Sequence, residues 1–472
     1  MASHGRGCHH RSVKAPCVTV LVVAIGCGTA PSTPAGEIDS VELSAAAGWP
    51  SSVQVRSVPG SFRTSVTTLD VDASGRVWLL RDEWADATRD LGTPILERYG
   101  LSGHLERRIA FPEGAMVSSF VLHPSGELSV FVHVPDQATD HNYNLEILRL
   151  ANDGHAIAMA ALEDTPGPGE NLYYDQAGVH ELPAGVPFRL SRFGHVVGLA
   201  DGEGLYLVAG WTYGFELYRL LADSTQAWKG QVMPANIGMA FDFTLPLLAR
   251  DEQGRIHVAT VIFEDDVHIY GDHFHRPALV PIGSYDVLVQ RFDPGGDFSG
   301  ARLFGGPGVD HPSAMTARAG SALVVGSARL TKLDLPNRTM EWDVFALRGR
   351  IDGETSLDSY RTFDLARDDF AWGMVEAPDG TLYLAGRTDY VQVDTNSEVE
   401  NGKGLLLQIS ADLSTTAAIT LPGPRDVQLR ALRLLPDGRI VLAGMRDGPL
   451  THTDPAMTFN DGVWGVARLG GP

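Results

Sequence analysis

Ala377-Pro-Asp-Gly-Thr-Leu-Tyr-Leu-Ala-Gly386 and Leu435-Pro-Asp-Gly-Arg-Ile-Val-Leu-Ala-Gly444 are near copies of each other. In each, Pro-Asp-Gly makes a tight turn, and a short aliphatic run ending in small residues follows. The same turn glycine recurs at Gly75, Gly126, Gly204, Gly254 and Gly320. The spacing averages about 60 residues, longer than helical solenoid repeats, and no copy carries a helical period. Downstream of each lies a second apolar strand that runs into a polar turn. Examples are Ile95-Leu-Glu-Arg-Tyr-Gly100, Phe215-Glu-Leu-Tyr-Arg-Leu220 and Trp342-Asp-Val-Phe-Ala-Leu347. After each of the first six comes one more strand. One unit is therefore four antiparallel strands, and there are seven units.

A lone four-stranded sheet leaves apolar faces open to water, whereas radial stacking buries them. The expected fold is all-β, a seven-bladed β-propeller of four-stranded antiparallel blades. The seventh unit stops after its third strand, and Ser52–Val58 (SVQVRSV) precedes the first unit as an orphan. This N-terminal strand is expected to close the last blade and so remove an open edge. The expected organisation is residues 1–27 as a leader, 28–50 as a flexible tether and 51–472 as the propeller.

The composition agrees with this plan. The chain has 472 residues, 44% hydrophobic and 20% charged, with 52 Gly and 28 Pro spread between many short strands. A formal charge of −21 disfavours a nucleic-acid partner, which would need a basic surface.

The first 27 residues read as an address. Arg6, Arg11 and Lys14 form a positive region, and Cys17–Ile25 is an uncharged apolar run. Nine residues rise only about 13–14 Å as a helix, too short to span a bilayer. This pattern fits a secretory signal peptide. Val23-Ala-Ile-Gly-Cys27 resembles the bacterial lipobox. That resemblance implies diacylglycerol transfer to Cys27, cleavage before it, and attachment to a membrane in the cell envelope, at the outer membrane or cell surface. An ordinary signal peptide cut nearby, or an uncleaved anchor, is the alternative. Cys8, Cys17 and Cys27 all lie in this leader, so the exported part has no disulfide to form.

Tyr285-Asp-Val-Leu-Val-Gln-Arg-Phe-Asp293, Leu303-Phe-Gly-Gly-Pro-Gly-Val-Asp310 and Ala322-Leu-Val-Val-Gly326 together resemble the bacterial SBBP-type β-propeller repeat. The match covers one repeat well and the others diffusely. It departs where Gly300-Ala-Arg stands in place of the usual Trp before Phe-Gly-Gly. The resemblance implies an exported, often lipid-anchored surface protein and carries no catalytic motif.

Loop length points to a working face. Turns from first to second strand, and from third to fourth, are short. The other two connections vary widely and emerge together, and such loops usually carry binding. The longest, Val261–Ser284, holds Asp265, Asp266, His273 and His275, a set that could take Ca²⁺ through oxygen or Zn²⁺ through imidazole. The alternative is a solvated acidic loop, because no EF-hand or His-Glu-x-x-His spacing is present. Trp211, Tyr213, Tyr173 and Tyr270 could stack on a sugar, or simply cover strand ends. Asp293 and Asp297 read as turn residues on the opposite face. Small residues in the first strands, as in Ala371-Trp-Gly-Met374, read as packing. No Gly-x-Ser-x-Gly elbow, Walker loop or free cysteine suggests an enzyme. The leading expectation is a monomeric, non-enzymatic lipoprotein without a resident cofactor, whose loop face binds a protein or carbohydrate. The alternatives are a propeller hydrolase or lyase of extracellular polysaccharide, and a structural surface protein with no specific ligand.

Overall fold

The computed structural model describes residues 38–42, 52–58, 63–84, 92–100, 102–111, 115–135, 143–162, 172–175, 178–181, 196–211, 214–231, 246–263, 282–306, 308–318, 320–329, 341–351, 359–391, 401–414, 416–421, 427–447 and 460–468. Among these there is no helix; all regular structure is strand.

The strands fall into repeated four-stranded antiparallel sets. After β1 (Ile38–Glu42) and β2 (Ser52–Val58), the first set is β3 (Arg63–Val71), β4 (Val77–Trp84), β5 (Thr93–Tyr99) and β6 (Leu105–Ala110). The second is β7 (Met116–Leu122), β8 (Leu128–Pro135), β9 (Tyr143–Leu150) and β10 (Ala156–Ala161). A small hairpin follows, β11 (Leu172–Asp175) with β12 (Gly178–Glu181). The third set is β13 (Val196–Asp201), β14 (Gly204–Trp211), β15 (Gly214–Leu221) and β16 (Gln226–Gln231). The fourth is β17 (Leu247–Arg250), β18 (Ile256–Phe263), β19 (Tyr285–Phe292) and β20 (Phe298–Phe304). The fifth is β21 (Val309–Arg318), β22 (Ser321–Arg329), β23 (Trp342–Arg350) and β24 (Ser359–Phe363), joined to the fourth by a single parallel bridge at Tyr285 and Val309. The sixth is β25 (Asp368–Glu376), β26 (Leu382–Val391), β27 (Asn401–Ile409) and β28 (Thr416–Leu421).

The last set is β29 (Val427–Leu434), β30 (Arg439–Asp447) and β31 (Asn460–Arg468), completed by β2. Val53 through Val58 face Ala467 through Gly462 in antiparallel register, the pairing that the orphan strand led us to expect. One element was not foreseen. Within residues 28–50, read as a tether, Ile38–Glu42 adds to the outer edge of β2 as a fifth strand. First strands of successive sets lie side by side in the order β3, β7, β13, β17, β21, β25, β29, and β29 returns to β3.

The core lies between the sets. Strand residues alternate, so Trp78 and Leu80 of β4 pack toward Phe120 and Val130 of the second set, while Leu79 packs toward Val441 and Ala443 of the last. Like layers join the sixth set to the seventh through Leu406, Leu429 and Leu442, and the fifth to the sixth through Val325, Leu384 and Leu407. Turn chemistry places the strands. At Gly438, φ is +81°, a region that side chains avoid, which is why glycine follows Pro-Asp in this turn. The small residue ending the second strand has a different cause. A Cβ on Gly386 would sit 1.9 Å from the carbonyl oxygen of Phe370, across a bulge in β25. Gly326 and Gly444 meet His311 and Gln428 in the same way. Each bulge re-aims the first strand at its loop-rich end.

Candidate functional site

That end of the fourth to seventh sets gathers carboxylates, aromatic rings and arginines. Two third strands carry an aspartate at their second residue, Asp286 and Asp343, and two first strands do likewise, Asp310 and Asp369. Asp286 is buried and accepts from the backbone N–H of Ile282 at 2.8 Å and of Gly283 at 3.0 Å. Asp310 accepts from the N–H of Gly306 at 2.7 Å and the Tyr360 hydroxyl at 2.6 Å. Gly305 lies between them, where a Cβ would meet Asp286 Oδ1 at 2.5 Å and Asp310 Oδ2 at 2.8 Å. Asp369 accepts from the N–H groups of Leu365 and Ala366, at 2.8 and 3.2 Å, and from the Thr388 hydroxyl. Asp310 and Asp369 therefore fasten connections between neighbouring sets, and Asp286 the connection between β18 and β19 within the fourth. Burial pushes Asp310 and Asp369 above the usual carboxylate range, against the pull of the hydrogen bonds they accept.

Asp369 also belongs to a tighter group. Oxygen atoms of Asp343, Asp364 and Asp369 lie within 4.8 Å of one another, with Asp364 exposed, Asp343 half-buried and Asp369 buried. Hard oxygen donors at that density suit a divalent cation such as Ca²⁺.

Beside the carboxylates runs a row of rings. Tyr285 and His311 are 5.8 Å apart between centroids, His311 and Trp342 5.3 Å, Trp342 and Phe370 6.0 Å, and Phe370 and Trp372 5.9 Å. Register explains the sequence of contacts, since Arg329 faces Trp342 and Phe370 faces Arg387 across strand pairs. Arginines cap the row. Arg329 lies 5.6 Å over Trp342, Arg387 5.2 Å over Phe370, and Arg430 3.9 Å over Trp372. Burial lowers His311 to about 4, so its ring is neutral at pH 7. Rings of this kind offer faces for a sugar, and guanidinium groups offer forks for a carboxylate.

Most residues singled out from sequence fall elsewhere. Cys27, Tyr213, Asp265, Asp266, Tyr270, His273 and His275 lie outside the described residues. Tyr173 is placed in β11 and Trp211 at the end of β14 as backbone. Asp293 and Asp297 form the expected turn, with Asp293 N–H donating to the Asp297 carbonyl at 2.8 Å. Reading Ala371-Trp-Gly-Met374 as packing overlooked Trp372, whose half-buried ring carries Arg430. The missed signal was local: Phe304 to Asp310 and Phe363 to Asp369 make the same step between a fourth strand and the next first strand.

No family model matches the chain, and no curated protein matches it. Similar solved structures include a gluconolactonase of Xanthomonas campestris, XC5397, at 12% identity and a TM-score of 0.38, covering 93% of this chain and 98% of that one. A luciferin-regenerating enzyme has 11% identity and a TM-score of 0.39, with 89% and 96% covered. An α-L-arabinofuranosidase of Fusarium graminearum, Arb93A, has 13% identity and a TM-score of 0.41, with 76% and 95% covered. At such scores they carry no residue and no chemistry over to this chain. The expectation of a non-enzymatic protein, which rested on missing nucleophile motifs, stands against the enzymes named among these similar structures.

Proposed function

We propose that the chain is an exported seven-bladed β-propeller, lipid-anchored at Cys27 in a bacterial cell envelope, that hydrolyses an extracellular polysaccharide at its loop-rich mouth. The ring order of first strands and the pairing of β2 with β31 support the blade count. The basic leader and the lipobox-like Val23–Cys27 support export and anchoring.

One observation carries the catalytic reading: Asp343, Asp364 and Asp369 converge within 4.8 Å beside a row of half-buried aromatic rings. Magnitudes choose between two chemistries. An acid and a base that work with a water between them stand roughly 6.5–9.5 Å apart in inverting glycosidases. Three carboxylates closer than that instead suit a shared divalent cation, which lowers the pKa of bound water and polarises the bond to be cut. Asp364, the exposed member, faces substrate, while Asp343 and the buried Asp369 hold the set in place.

The test is turnover. The full chain in detergent is incubated with neutral and acidic polysaccharides, and new reducing ends are counted with calcium and with chelator. Cleavage that calcium supports and chelator stops is expected, as is a loss on the order of 10²-fold in kcat/KM for Asp364→Asn. Asp293→Asn, on a turn at the far end, leaves the rate unchanged. Absence of cleavage across the panel in both conditions refutes the reading.

A further inference from the structure

The rim beside the carboxylates contains a cation that has no carboxylate partner among the described residues. The chain holds 58 acidic against 37 basic residues, so an arginine readily finds a carboxylate. Arg81 grips Glu97, Arg219 grips Asp201, and Arg255 grips Asp251. Arg329 differs. Its Nε is buried without a hydrogen-bond partner, and among the described residues its one contact of note is the face of Trp342. Arg329 is half-buried, and the cost of its enclosed Nε is offset in part by the contact with Trp342.

Four acids at this end of the sheets have other partners. Asp368 accepts from the N–H of Trp342 at 2.9 Å, Asp389 pairs with Lys403 at 2.9 Å, and Asp310 and Asp369 are held by the donors described above. Arg329 and Trp342 are instead cross-strand neighbours at the mouth end of β22 and β23, with the guanidinium 5.6 Å over one face of the ring. A pyranose ring stacks on such a face, and a carboxylate on that ring takes the fork bidentately.

We propose that Arg329 and Trp342 form a subsite for a uronic-acid unit, so that the polysaccharide is an acidic one. This rests on the hydrolase reading and names its substrate class. The whole molecule is acidic, and its long-range field repels a polyanion. Selectivity for the uronate therefore arises at contact, from the guanidinium itself, and not from steering.

A galacturonate hexamer and its methyl ester share their rings and differ at the carboxyl group, charged in one and a neutral methyl ester in the other. Calorimetric titration of the full chain with each separates contact with the carboxylate from contact with the ring. The acid form is expected to bind at least about tenfold more tightly than the ester, since a hydrogen bond to a charged group is worth roughly that factor or more. Arg329→Gln removes the preference, keeps ester binding and leaves the melting temperature close to that of the parent. Arg329→Lys keeps part of the preference. Equal binding of acid and ester, an unchanged preference in Arg329→Gln, or no binding of the acid hexamer overturns the subsite. Equal cleavage of acidic and esterified chains sinks the subsite and spares the hydrolase. Absence of all cleavage, with an Arg329-dependent preference intact, does the reverse.

Discussion

Single side chains in the first set show how burial sets charge. Asp82, beside Trp84 and Gly92, is pushed up to about 6 by burial, with Arg81 pulling the other way. The folded state holds this proton more tightly than the unfolded chain does. The stabilisation is therefore full below about pH 4 and is lost as pH rises through 6. At pH 7 the ionised group costs roughly 1–3 kcal/mol. Asp82→Asn should raise the melting temperature at pH 7, with the gain fading by pH 4. An equal gain at both values would show that ionisation is not the cause. One residue along, Arg81 donates to Glu97 through two nitrogens at 2.9 and 3.1 Å, and Tyr99 adds a third bond to Glu97 at 2.7 Å. Glu97→Gln should cost roughly 3 kcal/mol, because a buried guanidinium loses the charge of the carboxylate that it meets through two nitrogens. The double change Arg81→Met with Glu97→Leu should cost less than that single one in urea melts. A double variant weaker than the single would mean that the pair is worth more than its desolvation.

At the scale of elements, the repeat was legible because its causes are local. A turn glycine, an alternating run and a small terminal residue lie within ten residues of one another in Ala377–Gly386. The mouth was not legible in that way. Its carboxylates come from β23, β25 and the connection between β24 and β25, so only folding brings them together. The recurring aspartate at the second strand position could have marked it, but the isolation of Arg329 depends on neighbours no pattern names. The small residue at the end of β26 ties the two scales together. Gly386→Ala drives a Cβ against the Phe370 carbonyl and should cost roughly 1–3 kcal/mol. It should also displace Phe370 and Arg387, lowering polysaccharide turnover more than the melting temperature alone would predict. Retained turnover in a destabilised variant would show that the bulge serves packing only.

For the whole molecule, the decisive contact joins the two ends of the described chain. Val55 faces Gly465 in the middle of the β2–β31 ladder. Proline there removes a donor and has no place in a paired central position. Val55→Pro should raise amide hydrogen exchange throughout Asn460–Arg468 and lower the melting temperature. Exchange that stays slow in β31 would show that closure does not rest on β2. The same ladder has a consequence for synthesis. Its partners lie about 400 residues apart, and the loop between them must be made before it can close. During translation β2 emerges early and waits, and β31 emerges after every other described strand. A chain cut short before residue 460 can build every inner sheet yet keeps two raw edges, which makes a truncated product recognisable to chaperones and proteases by its failure to latch.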